Sequence, residues 1–192
     1  MRPAMRILGR EHLALRAVAR MIAMEAVLLA RDGHADVALL ESIGAYIAEF
    51  PNRIHHPKEE AFLFRAMRQR APERCTALLD RLLFEHGKED ESIEQFLNAL
   101  SDYKNSAPGA TARLANVAGT YAKHLERHIE VENTQAFPLA EEVLLDSDWQ
   151  TIDAAFLANN DPLVSATPGL RFADLHRRIM ALGATPPGIS SN

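Results

Sequence analysis

The chain has 192 residues, with 26 acidic and 21 basic side chains for a formal net charge of −5, and is 47% hydrophobic, 24% charged and 6% aromatic. That balance fits one soluble globular unit with a single sizeable core, and it excludes the broad cationic footprint that non-specific nucleic-acid or membrane-surface binding requires. A lone cysteine, Cys75, reads as a packing residue and allows no intramolecular disulfide; the N-terminal stretch is broken by charges, and no run approaches ~18 apolar residues, so a cytoplasmic protein is expected.

Only nine glycines are present and alternating β-branched segments are missing, so the fold class is all-α. A first helix begins near Pro3, buries a stripe through Met5, Leu8, Leu15, Ala19, Ile22, Ala26 and Leu29, and ends in a left-handed turn at Asp32-Gly33. A second runs from about Asp36 to Gln69 with kinks at Pro51 and Pro57, since a proline removes a backbone donor. A third opens at Pro72, keeps Leu79, Leu82, Leu83, Ile93 and Leu97 on one face and frays between Ser101 and Gly109. A fourth spans Ala110 to Leu145, with Leu114, Ala118, Tyr121, Leu125 and Leu139 on one side and a late kink at Pro138. Four such helices with short turns predict an up-down-up-down four-helix bundle over residues 1–145. Asp146-Ser147-Asp148 offers caps for a short helix anchored by Trp149 and Phe156, and a last amphipathic stretch runs from Leu170 to Leu182. Residues 146–185 therefore form a helical extension packed on the bundle, and 186–192 a tail expected to be disordered.

The chemistry lies where histidines interrupt apolar stripes. His12 falls between Leu8 and Leu15, His86 between Leu82 and Ile93, and His128 three residues after Leu125. His55 with Glu59, and His128 with Glu132, repeat an offset of four that stacks a carboxylate one turn from an imidazole. His12 lies as far before the first turn as His55 lies after it, to within a residue, and the same holds for His55 with His86 and for His86 with His128 about the later turns. At about 1.5 Å of rise per residue, all four histidines share one layer. Buried glutamates need a partner, because desolvating an unpaired carboxylate costs several kcal/mol. Four imidazoles and two carboxylates able to bridge suit two first-row transition-metal ions, a pair of irons better than one zinc, with manganese or zinc as substitutes.

The segments REHLAL, FPNRIHHPKEEAFLF, LLFEHGKEDE and HIEVENTQAFPLA, around His12, His55/Glu59, His86 and His128/Glu132, resemble the hemerythrin-like HHE cation-binding domains of bacteria over about residues 5 to 145. The resemblance implies a non-haem, oxo- or hydroxo-bridged di-iron centre with His55 and Glu59 as ligands, and His56 and Glu60 turned about 100° away. Oxygen-carrying members use a fifth histidine one turn after the third-helix ligand; that position here is Asp90, so the chain is similar to the four-histidine, two-glutamate type. Asp90 is then an outer partner or an additional ligand. Tyr121 is a core tyrosine with a bonded hydroxyl or approaches the metals, and His124 crowds the centre or sits at the edge of the core face. His34 is read as solvated, His176 as solvent-facing or packed in the cap, and Glu85, Lys88, Glu89 and Glu91 as the wet face of the third helix. Phe62, Phe64 and Phe137 are expected to flank the ligands and keep water out.

The function these readings imply is binding of, or reaction with, oxygen, nitric oxide or peroxide, in sensing, stress response or iron handling. The alternative is a metal-stabilised helical interaction or sensor module, its ion structural, with the C-terminal helices available to a protein partner.

Overall fold

The structure, a computed structural model, describes residues 2–164 and 170–181. Among them every regular element is helical, as expected from the sequence. Helix α1, Pro3–Asp32, starts on a proline whose missing N–H is no loss in a first turn, and ends at Gly33, whose φ of 74° lets its N–H reach back to Leu29. Helix α2, Val37–Glu49, is capped by Asp36, whose side chain accepts from the Leu39 N–H. The second stroke then continues through a π segment at Pro51–His55, α3 at His56–Lys58, a second π segment at Glu59–Phe64 and α4 at Arg65–Arg70. Helix α5, Pro72–Lys104, forms the third stroke; α6, Ala110–Val131, a third π segment at Glu132–Ala136 and α7, Phe137–Val143, form the fourth.

The expected kinks at Pro51, Pro57 and Pro138 are thus absorbed by local widening of the helix. The His55 N–H bonds back five residues to Phe50 and the Phe137 N–H five residues to Glu132. Each π turn adds a residue without breaking the stroke, and so re-aims the side chains beyond it.

Helix α1 packs most extensively on α6, α6 on α5, and α2 on α5, closing the bundle. The core falls into two apolar clusters separated by a polar layer. One holds Leu15, Ile22, Leu40, Ile43, Phe96, Leu114 and Leu125; the other holds Leu8, Leu63, Phe64, Met67, Leu79, Leu82, Ala136 and Ala140. A fully buried Leu, Ile or Phe contributes about 1.5–3 kcal/mol, so both clusters hold the four strokes in register around the layer between them. Leu97, expected on the buried stripe, is instead 36% exposed against the second stroke. Cys75 is buried, as expected of a packing residue.

Helix α8, Asp146–Leu157, begins at the first of the expected caps and takes Leu145 as its N-cap, so those acids lie inside its first turn and Asp148 reaches back to accept from the Leu145 N–H. Trp149 and Phe156 anchor it in the second cluster, and its Asp153 accepts from the Ala4 N–H at 2.8 Å, satisfying a free donor at the start of α1. Helix α9, Ala173–Ala181, packs on the first cluster through Leu175 and Ile179. Leu182 and the tail 186–192 lie outside the described residues.

Candidate metal centre

The polar layer is built from the inward positions of all four strokes. His12, His55, Glu59 and Glu132 have ligating atoms within 4.8 Å of one another, and His56, His86 and His128 form a second such group. All seven side chains are buried, with both glutamates at 0% exposure. The six residues singled out from the sequence are therefore brought into one layer, and a seventh, His56, joins them.

The four expected histidines are arranged alike. Each turns Nδ1 outward onto an oxygen: His12 to Asn133 at 3.0 Å, His55 to Glu11 at 2.8 Å, His86 to Glu60 at 2.9 Å and His128 to Glu85 at 2.9 Å. These oxygens accept, so Nδ1 carries the proton and Nε2 faces inward. The inward atoms come in pairs, His12 Nε2 3.3 Å from His55 Nε2 and His86 Nε2 3.1 Å from His128 Nε2.

Each carboxylate spans both pairs. Glu59 lies 3.5 Å from His55 and 3.9 Å from His12 through its two oxygens, and 3.9 Å from His86. Glu132 lies 3.3 Å from His12, 3.4 Å from His128 and 3.7 Å from His86. Yet all four oxygens of Glu59 and Glu132 are buried without a hydrogen-bond partner. Two unsatisfied carboxylates beside converging imidazole lone pairs would cost several kcal/mol each in a purely polar core, whereas a cation between them satisfies both. The donor set of imidazole nitrogens and bridging-capable carboxylates fits first-row transition metals.

Burial lowers His12 to about 3. At His128 burial acts in the same sense but is outweighed by Glu132 and Glu85, and the result is a rise to about 10. Burial next to Glu132 pushes Glu59 well above the usual carboxylate range, while His128 and His86 hold Glu132 well below it in spite of burial. Without a cation the layer thus divides its charges, a proton on His128 against an ionised Glu132.

The family model of the hemerythrin HHE cation binding domain matches residues 4–140. The chain belongs to that family. Comparison with curated proteins finds no significant match, and comparison with solved structures finds none. No helix among the described residues is long and apolar enough to cross a membrane.

Within this HHE domain several side chains depart from their expected places. His56 is not turned away: the π turn at Pro51–His55 narrows the angle between neighbouring side chains, so His55 and His56 both enter the core, and His56 stacks on His86 at 4.1 Å between ring centroids. Two prolines flanking a His-His pair were the available signal. Glu60 does leave the layer but serves as the acceptor for His86. Asp90 is exposed and accepts from Asn52 at 3.0 Å, with no part in the layer. Its neighbour Glu89 turns inward instead and accepts from the Tyr121 hydroxyl at 3.0 Å, which makes Tyr121 a core tyrosine with a bonded hydroxyl. Glu85, read as part of the wet face, holds His128 and pairs with Arg81, while Lys88 and Glu91 pair on the surface. His124 and His34 are exposed and His176 is half-buried. Phe137 stacks on His12 at 5.1 Å and Phe64 on His86 at 5.8 Å, whereas Phe62 is half-buried away from the rings. Glu11 was missed, though it lies on the stripe between Leu8 and Leu15.

Proposed function

We propose that the chain is a di-iron protein that binds or reacts with a small ligand such as oxygen, nitric oxide or peroxide. The observation that carries this reading is the two-pair geometry: two couples of inward Nε2 atoms, with two partnerless buried carboxylates each reaching both couples. His12 and His55 would hold one ion, His86 and His128 the other with His56 beside them, and Glu59 and Glu132, which reach both couples, would be shared between the two. Manganese fits the same donors. A pair of irons, when bound, supplies binding and redox chemistry toward such small molecules.

The chain's own residues prepare the site for that chemistry. Glu11, Glu60, Glu85 and Asn133 fix each imidazole by its Nδ1–H and raise its donor strength. Phe137 and Phe64, lying against His12 and His86, exclude water from the layer. Tyr121, buried, and the half-buried Glu89 form a second polar pair, and burial raises the Glu89 carboxyl.

The test is total metal analysis with an optical spectrum on protein from iron-supplemented cells, beside His55→Ala and Glu132→Ala. About two irons per chain, with near-ultraviolet absorption lost in both variants, is the expected result. A chain that carries no metal, or a single ion indifferent to both substitutions, overturns it.

A further inference from the structure

The segment that closes α8 is tied to the metal centre through one buried carboxylate. Glu11 is 1% exposed; its Oε2 accepts from His55 Nδ1 at 2.8 Å and its Oε1 from Asn159 Nδ2 at 2.9 Å. Asn159 Oδ1 accepts from Lys58 Nζ at 2.5 Å, and Lys58 also donates to the Ala155 carbonyl at 3.0 Å. Lys58 stands three residues after His55, so the contacts close a ring: His55, Glu11, Asn159, Lys58 and back to the stroke that carries His55. Two residues beyond Asn159, Asp161 is 4% exposed, accepting from the Tyr46 hydroxyl at 3.1 Å and the Leu163 N–H at 2.8 Å. Residues 155–163 are thus pinned over one side of the centre.

The other three outer acceptors, Asn133, Glu60 and Glu85, belong to the bundle strokes. Glu11 alone among the four has its second oxygen held by the C-terminal extension. Undocking of the extension strips a partner from a fully buried carboxylate oxygen, which is costly, and frees Glu11 to rotate away from His55. In the other direction, a cation on His55 Nε2 makes its Nδ1–H a stronger donor, which fixes Glu11 in the orientation that Asn159 recognises.

We infer that the C-terminal extension is a metal-coupled element, in which Asn159 positions His55 through Glu11 and metal at His55 in turn tightens the docking of residues 155–163. The inference rests on the reading of His55 as a ligand. Coupling of this kind is reciprocal, so anything that lifts the extension weakens the His12–His55 side of the centre by the same factor that metal tightens the extension. A surface segment is thereby given a view of whether the core is loaded.

Hydrogen–deuterium exchange on the full chain tests it, metal-free and after anaerobic loading with ferrous iron. Loading is expected to slow exchange in residues 155–163 by about tenfold more than in α9, which packs on the other cluster. Asn159→Leu should abolish that excess and weaken iron affinity by about the same tenfold factor; Lys58→Met, which removes Asn159's other partner, should reduce the excess and serves if the first variant folds poorly. Phe156→Leu, by contrast, should speed exchange in both states and keep the metal-dependent ratio, the behaviour of a merely structural anchor. Full iron binding with no change in residues 155–163, or an excess that survives Asn159→Leu, overturns the inference and leaves the ligand reading standing. Failure of wild type and His55→Ala alike to bind iron overturns both.

Discussion

The Nε2 atoms of His86 and His128 lie 3.1 Å apart while both Nδ1 atoms are held by glutamates. Two neutral rings in that pose aim lone pairs at each other, so either a proton or a cation must lie between them. In the metal-free chain the proton resides on His128, raised to about 10. A ligating imidazole must be deprotonated, and loading therefore displaces that proton. Addition of ferrous or zinc ions at pH 7.5 in weak buffer is expected to acidify the solution by about one proton per chain or more, and affinity is expected to keep climbing with pH up to about 10, where His128 loses its proton without metal. A pH-indicator titration and binding isotherms check both.

Glu59 is fully buried, has no hydrogen-bond partner for either oxygen, and is pushed up by burial. Glu59→Gln keeps the shape and removes the ionisable group. The metal-free variant is expected to melt no lower than metal-free wild type, while the added stability that metal gives wild type, about 4 kcal/mol at a thousandfold excess over Kd, should largely vanish. Calorimetry with and without metal reads the two quantities separately.

Glu85 is held down at about 2 by the hydrogen bond from His128, and it meets the inner layer only through the outward Nδ1 of that ring. Glu85→Gln should weaken metal binding by about 10–100-fold, because the imidazole loses its anionic acceptor. Helicity by circular dichroism should stay at the wild-type level. An unchanged affinity would show that the outer contacts play no part in holding the ion.

Asp161 gives a pH signature away from the centre. Burial raises its carboxyl from 3.8 to about 7. Between those values the folded chain retains a proton that the unfolded chain has released, so this group lowers stability progressively as pH rises toward 7, and the loss is complete above it. Asp161→Asn keeps an oxygen for the Leu163 N–H and removes the charge. Its stability advantage over wild type should grow from pH 5 to pH 8, reaching a few kcal/mol at about 1.4 kcal/mol per pKa unit. Urea unfolding across that range measures it.

The four strokes and the shared depth of the histidines were legible because both rest on the helical repeat, which the apolar stripes, Gly33 and Pro72 spell out. What escaped was any feature set by a departure from that repeat. His56 enters the core only because the Pro51–His55 turn is widened, and a fixed step of 100° per residue sends it outward. Asp90 and Glu89 differ by a single position, and the fixed step did not separate the residue that turns inward to Tyr121 from the one that stays in water. The tie from Asn159 to Glu11 joins residues 148 positions apart, beyond the reach of local periodicity.

The widened turns also bear on how the centre comes into being. Glu59 opens one π segment and Glu132 another, each closing a His-x-x-x-Glu pair, and each pair is preceded in the chain by a single histidine on the stroke before it. The centre is therefore a seam between two hairpins drawn to one plan. Residues before Ala71 supply His12, His55, His56 and Glu59, and those after it supply His86, His128 and Glu132. Neither hairpin contains a finished site, since each carboxylate leans across to the other's histidines, Glu59 to His86 and Glu132 to His12. An ion held at the seam would draw on donors from both hairpins.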